Sequence, residues 1–471
     1  MRPFFLHISV PRLPHVSCIA DRFVRSVSFN LTFVSRRAPF SFKQYYSSAT
    51  MGSVPVATPR VKVFIAGGSY GGLSTALNLL DLGDGLAPRM AWEPVEHHPD
   101  VPRVDYDITI VDERDGFYHT IGSPLALADS DYAKKAWVKY TDIPALQKPN
   151  INILQGSLTH LDPATKTASV LNTTTQLAST HNYDYFVAAT GLRRVWPVVP
   201  QSFTKKQYLL EAEEQIHAVG NARDGVLIVG GGAVGIEMAA ELKMVKPDVK
   251  VTLAHSRDML LSSEGLKDDC KLKAAELLKE GGVEVLLNHR LASKKKLESG
   301  DGITRYEVEF TNGHKMIVND VTMAISKSEP STSYMPKSAL DEEGYIKINP
   351  DLTIVEGTPN ASSHYCAGDA CKWSGIKRCG AAMHGGHYSA YNIHQSVLAS
   401  AVNHKAVRKE LQEVAPMIGL AVGKQAVASG PDQDTIWGEE VLKLYFKHDL
   451  GFTICWDYMQ LGGKKEVEVA A

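Results

Sequence analysis

The sequence predicts an α/β fold made of two three-layer, parallel-sheet domains followed by a small α+β region. Three observations carry this. An apolar, β-branched run that ends in glycines and passes into a helix-spaced stretch occupies residues 61–83. The same order recurs at 225–245. Two further buried-strand patterns ending in glycine, at 183–194 and 364–373, follow the first and second copies. With 471 residues the chain is long enough for two or three domains, each with its own core.

Taken in order, "VKVFIAGG" (61–68) reads as a buried strand and "LSTALNLLDLG" (73–83) as a helix. The turn between them is Gly67-Gly68-Ser69-Tyr70-Gly71-Gly72, with serine at the middle position of G-x-G-x-x-G. That position must let a pyrophosphate approach the backbone, and serine is the next smallest side chain, with a hydroxyl that can itself donate. The helix start supplies free N–H groups and a positive dipole end. "YDITIVDE" (106–113) is a second strand, ending in Asp112, the type of residue that accepts from ribose hydroxyls. A Pro- and His-rich stretch at 84–105 reads as a surface insertion and stretches the usual spacing of about 20 residues between turn and acid.

The second copy carries an intact G-x-G-x-x-G at Gly230, Gly232 and Gly235, and the next strand, "KVTLAHSR" (250–257), follows at the usual distance. That strand ends in His255-Ser256-Arg257, with no acid before Asp258. A carboxylate there would repel a 2′-phosphate, whereas Ser256 can donate to one and Arg257 can clamp it. Thr190 and Gly191, in "AATG", and Gly368-Asp369, in "CAGDA", close two more strands. Glycine there allows close backbone approach, and Asp369 can accept from sugar or ribityl hydroxyls.

Composition narrows the function classes. A net charge of −2 offers no basic excess to neutralise phosphates, so no nucleic-acid partner is expected. The triplet Lys294–Lys296 reads as a solvated loop. None of the six cysteines forms C-x-x-C, and their spacings fit no zinc site, so they read as small buried hydrophobes. No metal is expected: His384 and His387 sit at helical spacing without a third ligand and read as structural. No 18-residue apolar run suggests a membrane span. Residues 1–50 hold six arginines against the single acid Asp21, with many serines, the composition of a mitochondrial transit peptide. The alternatives are a disordered tail, or an upstream extension before initiation at Met51, which would make the protein cytoplasmic.

The stretches "FIAGGSYGG", "ITIVDERDGFYHTIGSP", "AATGLRR", "LIVGGGAVGIEMAAEL", "GYIKINPDLTI" and "CAGDACKWSGIKRCGAAMHGG" resemble the two-dinucleotide-binding-domain flavoproteins of the pyridine nucleotide-disulfide reductase superfamily. Within it they are most similar to the apoptosis-inducing-factor-like branch that includes ferroptosis suppressor protein and fungal relatives. In those fungal members the first turn is often G-G-S-Y-x-G.

The resemblance implies two Rossmann-like domains, the second inserted in the first. Residues 1–50 form a leader, 51–205 the first segment of the FAD-binding domain, and 206–325 the NAD(P)H-binding domain. Residues 326–395 complete the FAD-binding domain, and 396–471 form the C-terminal region. The resemblance also implies FAD on the first turn, held by Gly67, Gly68, Ser69, Gly71, Gly72, Asp112, Thr190, Gly191, Gly368 and Asp369. It implies NADPH or NADH on the second, near Gly230, Gly232, Gly235, His255, Ser256 and Arg257. Glu237 is carried over as a group near the nicotinamide, with a solvent-facing helix glutamate as the plain alternative. The helix starting near Arg378-Cys379-Gly380 points its N-terminus at the flavin, where Lys377 and Arg378 can add positive charge.

The implied activity is an FAD-dependent NAD(P)H oxidoreductase feeding a quinone-like or other diffusible acceptor. The alternative is a cell-death effector with its flavin in a structural or sensing role. A flavin monooxygenase is disfavoured, since no F-x-G-x-x-x-H-x-x-x-W/P stretch lies between the turns. No cysteine pair follows "DERDGFYHT", which excludes thiol–disulfide chemistry through such a pair. "SKSEPST" (326–332) departs from the family's G-x-x-P-N-T and puts the junction contacts there in question. In 396–471, "PMIGLAVG" and "QAVASG" read as strands and "TIWGEEVLKLYFK" as an amphipathic helix presenting Ile436, Val441, Leu444 and Tyr445. The plain reading of this region is core packing. Family members use it to cover the flavin, form a homodimer or touch a membrane peripherally.

Overall fold

The computed structural model describes residues 58–90, 101, 103–298, 302–325, 328–402 and 405–463. The expected leader at 1–50 lies outside them, as do Ser326 and the middle of the 84–105 insertion.

The first half opens with β1 (Arg60–Ala66), α1 (Tyr70–Gly83), β2 (Asp105–Asp112), β3 (Ile151–Asp162), β4 (Thr167–Asn172), β5 (Ala178–Asn182) and β6 (Tyr185–Ala188). Then come α2 (Lys205–Gly220), β7 (Val226–Val229), α3 (Ala233–Val245), β8 (Val251–Ala254), α4 (Asp268–Glu280) and β9 (Glu284–Leu286). A meander of β10 (Leu291–Leu297), β11 (Arg305–Phe310) and β12 (Lys315–Val318) precedes β13 (Asp320–Met323). Next are β14 (His364–Cys366) and the long α5 (Cys379–Val402). The chain ends with β15 (Ile418–Val422), β16 (Gln425–Gly430), β17 (Gln433–Gly438), α6 (Glu439–Tyr445) and α7 (Phe452–Tyr458).

Seven strands form one sheet in the order β14-β6-β1-β2-β3-β4-β5. Its first five are parallel, and β4 and β5 extend it as antiparallel neighbours. Four more form a wholly parallel sheet, β9-β8-β7-β13. The chain leaves the first sheet after β6, builds the second, and returns at β14, so the second α/β unit is inserted in the first. Parallel strands buried on both faces read as continuous apolar runs, and β7 (Val-Leu-Ile-Val) is fully buried.

Helices α1 and α5 cover the first sheet and meet at closely spaced backbones. A Cβ on Gly386 of α5 would stand 2.3 Å from the carbonyl oxygen of Gly71 and 2.8 Å from Ser74 Cβ. The contact is sealed by Ser74 Oγ, which donates to the Met383 carbonyl at 2.7 Å. Among the described residues no helix is long and apolar enough to cross a membrane.

Three local expectations need correction. The helix expected over 435–447 begins only at Glu439. Residues up to Gly438 instead pair with β16 as β17, and Gly438, at φ 121°, breaks the strand before the helix starts. Val441 therefore packs inward, while Ile436 belongs to the strand and Leu444 is exposed. The lysine triplet is not a loop but an exposed stretch of β10, in which Lys295 faces Glu307 across the ladder while Lys294 and Lys296 face Val308 and Tyr306. Its Lys294 Nζ sits 4.1 Å over the Tyr306 ring. Finally, the insertion is not wholly at the surface: Asp84, Leu86 and Ala87 are exposed, but the chain then turns inward. Met90 is buried, and the Arg89 guanidinium is buried against Asp81 at 3.1 Å while donating to the Gln460 carbonyl.

The α1–α5 crossing yields a stability test. Gly386→Ala puts a methyl into backbone that cannot yield, and overpacking of this kind costs about 1–3 kcal/mol. Gly380→Ala, on the same helix where a Cβ would meet nothing within 4 Å, leaves stability close to wild type. Denaturant titration of both variants separates the two cases; equal midpoints would show that the crossing does not depend on glycine.

Candidate functional site

The two glycine turns are built alike, contact for contact. In the first, Gly67 has φ 104°, its N–H donates to Val111 O at 2.8 Å, and a Cβ on it would lie 2.3 Å from Ala189 O. In the second, Gly230 has φ 124°, its N–H donates to Ala254 O at 2.9 Å, and a Cβ would lie 2.9 Å from Ala324 O. Positive φ of this size is glycine territory. The last glycines match too. A Cβ on Gly72 would sit 1.8 Å from Gly67 O, and one on Gly235 the same 1.8 Å from Gly230 O. These residues bring each helix against the strand that feeds it.

The middle positions explain the serine. Gly232 is extended, with φ −81° and ψ 179°, and a Cβ on it would meet nothing within 4 Å. Ser69 holds the same place before α1, with φ −106° and ψ −151°. Neither conformation needs glycine, so a small side chain at Ser69 costs the turn nothing. Its hydroxyl caps no helix N–H, which leaves it for a ligand.

An acceptor from the end of the second strand steadies each turn. Asp112 Oδ2 accepts from Gly68 N at 2.7 Å, and its Oδ1 accepts from Arg114 N at 2.9 Å. In the second unit, His255 Nδ1 accepts from Gly231 N at 3.1 Å. The registers Ala66↔Val111 and Val229↔Ala254 put Asp112 and His255 at equivalent places, one residue beyond each pair. Because Nδ1 accepts, the network requires the Nε2–H tautomer, which donates to Ser262 Oγ at 2.9 Å. Burial and the Arg257 charge hold the imidazole pKa below its ordinary range. The imidazole is therefore neutral where the first unit has a carboxylate.

A cleft opens above the first turn. Of the residues predicted for FAD, it is lined by Gly67, Ser69, Gly71, Asp112, Thr190, Gly191, Gly368 and Asp369. Gly68 and Gly72 lie behind this lining: a Cβ on Gly68 would meet Tyr140 Oη at 2.3 Å. Four cations also line it, Arg114, Arg194, Lys377 and Arg378. Burial raises the carboxyl pKa of Asp369 against the pull of Arg194, 4.0 Å away, and Lys377. Burial likewise raises that of Asp112, which the Arg114 charge and the two backbone N–H groups oppose. Thr190 Oγ1 donates to Ser331 O at 2.6 Å, and Ser331 N donates to Gly191 O at 3.0 Å. The unusual "SKSEPST" stretch thus makes its junction contacts through the Ser331 backbone, which any side chain permits.

The predicted nucleotide residues of the second unit, Gly230, Gly232, Gly235, His255, Ser256 and Arg257, gather at the carboxyl ends of β7 and β8. Ser256 and Arg257 are exposed, and the Arg257 guanidinium reaches Ser262 O at 3.4 Å. Glu237, one turn into α3, is not solvent-facing: its Oε1 accepts from Ala421 N of β15 at 3.4 Å. Burial raises its pKa from 4.5 to about 8. Sequence reasoning missed its neighbour Glu241, buried on the same face with Oε1 lacking a hydrogen bond. Burial, with the Glu237 charge adding to it, raises Glu241 to about 8 as well. The i, i+4 spacing of two glutamates was visible, but nothing in the sequence placed β15 over them.

Also missed was a buried relay that fixes Tyr70 in the cleft wall. Its hydroxyl lies 3.0 Å from His119 Nδ1, and His119 Nε2 lies 3.0 Å from Leu450 O. Burial drops the His119 pKa to about 4, so the ring is neutral, donating to Leu450 and accepting from Tyr70. His384 and His387 are half-buried and buried, with pKa values lowered by burial to about 4 and about 3. No group of metal-ligating side chains forms among the described residues.

Comparison with known proteins places these features. Residues 61–386 match the family described as pyridine nucleotide-disulphide oxidoreductase. The chain is 45% identical over 447 residues to oxidoreductase OXR1 of Ajellomyces capsulatus, covering 93% of this chain and 96% of that protein. It is 28% identical to human ferroptosis suppressor protein 1, over 68% of this chain and 76% of that one. Among solved structures, a NAD-dependent persulfide reductase from A. fulgidus superposes with a TM-score of 0.58 at 21% identity, covering 81% and 65% of the two chains. The sulfide:quinone oxidoreductase of Aquifex aeolicus gives 0.57 at 18% identity, covering 87% and 94%. At these identities the structural likeness speaks for the fold.

The glutamate pair makes stability depend on pH. With folded pKa values near 8, both carboxyls keep their protons in the folded chain after the unfolded chain has lost them. The folded state binds more protons across this window, so stability falls as pH rises from about 5 to about 8. Glu241→Gln removes its share of that loss. Its stability gain over wild type is larger at pH 8.5 than at pH 5.5, on the order of a few kcal/mol at most, read as a larger gain in melting temperature at the higher pH. A gain independent of pH would show that Glu241 is ionised in the folded protein.

Proposed function

The chain belongs to the pyridine nucleotide-disulphide oxidoreductase family, and from that premise we propose that it oxidises NAD(P)H and passes the electrons through FAD to a quinone-like or other diffusible acceptor. Family membership and the relative named as an oxidoreductase make the chain an NAD(P)H-dependent flavoprotein oxidoreductase. The acceptor class is the proposal. One observation carries the assignment of the two halves: two turns of one design, the first backed by a carboxylate and opening on a cleft, the second backed by a neutral imidazole.

The residues present fit a dinucleotide at each turn. The first offers the N-terminal N–H groups of α1, the Ser69 hydroxyl, and Arg114, Arg194, Lys377 and Arg378 around the cleft, which suit a pyrophosphate. Asp112 and Asp369 supply acceptors for ribose and ribityl hydroxyls. Bound there, FAD supplies two-electron chemistry that no side chain can. The protein's role is to hold and align, to exclude water, and to fix charge near the ring. A triad or a paired acid and base is not required, and Glu237 and Glu241, protonated at neutral pH, add no negative charge beside a nicotinamide.

Preference for NADPH follows from the second strand end. A carboxylate at the place of His255 would accept from both ribose hydroxyls and repel a 2′-phosphate. The neutral imidazole there is already committed to Gly231 and Ser262. Ser256 and Arg257, both exposed, are free to take the phosphate with a hydroxyl and a charge-assisted pair.

Two measurements test this. Purified protein mixed anaerobically with NADPH loses its yellow colour, and a quinone added afterwards restores it without oxygen; a colourless protein, or one reoxidised by oxygen alone, would overturn the reading. Arg257→Ala then raises the KM for NADPH far more than for NADH, about tenfold for each 1.4 kcal/mol of lost contact. An unchanged NADPH-to-NADH ratio would show that the strand end has been misread.

A further inference from the structure

The chain lacks a cysteine pair after "DERDGFYHT", yet folding assembles two pairs elsewhere. Cys366 and Cys371 have sulfurs 3.1 Å apart. Cys379, the first residue of α5, and Cys455, in α7, have sulfurs 4.0 Å apart although 76 residues separate them. Only one member of the four, Cys379, lines the cleft. We propose that Cys379 and Cys455 are a peroxide-reactive thiol pair, with Cys379 as attacking sulfur in the cleft wall and Cys455 as the resolving thiol behind it.

Distance alone would choose the other pair; chemistry does not. The thiolate is the nucleophile, and it is favoured by a helix N-terminus and by nearby positive charge. Cys379 has both. The Cys455 thiol donates to it, and the Gly380 N–H and the Arg378 guanidinium add to the same effect. Burial and the Asp369 carboxylate oppose them without prevailing, so its pKa lies below the ordinary thiol value. Tyr70 and Tyr132, which also face the pair, are neutral, their pKa values raised by burial. Cys455 is pushed up by sharing its proton with Cys379, by burial and by Asp449. Of the two facing sulfurs, Cys379 is therefore the one that ionises more readily. Cys366, by contrast, is fully buried, and burial and the Cys371 sulfur raise its pKa, so it stays protonated and out of reach.

Hydrogen peroxide is the oxidant class that suits a narrow, half-buried site. The Cys379 thiol ionises, its thiolate attacks one peroxide oxygen, the O–O bond breaks, and the hydroxide that leaves takes up the proton the thiol released, forming water. Cys379 is then a sulfenic acid. Cys455 attacks that sulfur, the S–O bond breaks, the S–S bond forms, and the Cys455 proton departs with the hydroxyl as water. Two sulfurs give up two electrons and one peroxide accepts them. The product bond ties α7 to the N-terminus of α5 at the edge of the cleft.

The experiment exposes the full-length, flavin-loaded protein to hydrogen peroxide and maps its thiols by mass spectrometry. Wild type yields a linked Cys379–Cys455 peptide that dithiothreitol dissolves, while Cys366 and Cys371 alkylate normally after unfolding. In Cys455→Ser the reaction stops at a sulfenic acid that dimedone traps on Cys379. Without peroxide, at pH 7, an alkylating agent labels Cys379 faster than Cys366 by at least about tenfold. Linkage of Cys366 to Cys371 first, or labelling of Cys379 no faster than Cys366, would overturn the proposal, and both readouts use wild type should Cys455→Ser fail to fold.

Discussion

Everything at the cleft depends on backbone passing backbone at distances that no Cβ allows. Gly72 lies against the carbonyl of Gly67, Gly235 against that of Gly230, and Gly386 against that of Gly71. The first two contacts turn a helix start toward the end of its strand. The third brings α5 down on α1, so that the N-terminus of α5, with Arg378 and Cys379, reaches the same cleft as Ser69 and Gly71. Backbone contacts of this kind cannot be rebuilt by side-chain repacking, because the atoms in conflict are fixed by the chain's own path.

Those constraints account for what was legible in the sequence. Glycine at positive φ or at a helix–strand contact leaves a mark that survives any environment, so both turns and the strand ends at Thr190-Gly191 and Gly368-Asp369 could be read directly, while the start of α5 entered through resemblance. Period-2 and period-3.6 patterns marked the strands and helices for the same reason: they record a local geometry. The insertion of one α/β unit in the other entered through resemblance, and the return of β14 to the first sheet bears it out.

What stayed hidden was set by partners far away in sequence. His255 looked like one of three polar residues at a strand end; its role appears only when Gly231 N is found donating to it, as Gly68 N donates to Asp112. Glu237 entered as a group near the nicotinamide, with a solvent-facing glutamate as the alternative, and nothing in the sequence showed β15 lying across it. The 435–447 stretch carried a helical pattern that lost to strand pairing with β16, a tertiary override of local preference. The cysteines looked like scattered small hydrophobes, and only folding showed which of them face each other. Sequence spacing carries no information about such pairs, since 76 residues and five can close to similar distances.

The C-terminal region ties these separate observations together. It lends Ala421 and Gly423 to the glutamates of α3, Leu450 to His119 and so to Tyr70, and Cys455 to Cys379. Each contact ends on a group that the sheets alone would leave exposed or unpartnered: two carboxyls, an imidazole and a thiol. Burial under this region makes three of them neutral, the two carboxyls and the imidazole, and the fourth is a thiol whose pKa falls. The cover over the two α/β units therefore sets charge at the site as well as shape. The histidine turned neutral suits a wall that must exclude water, and the one group left readily ionised is the one that faces the cleft.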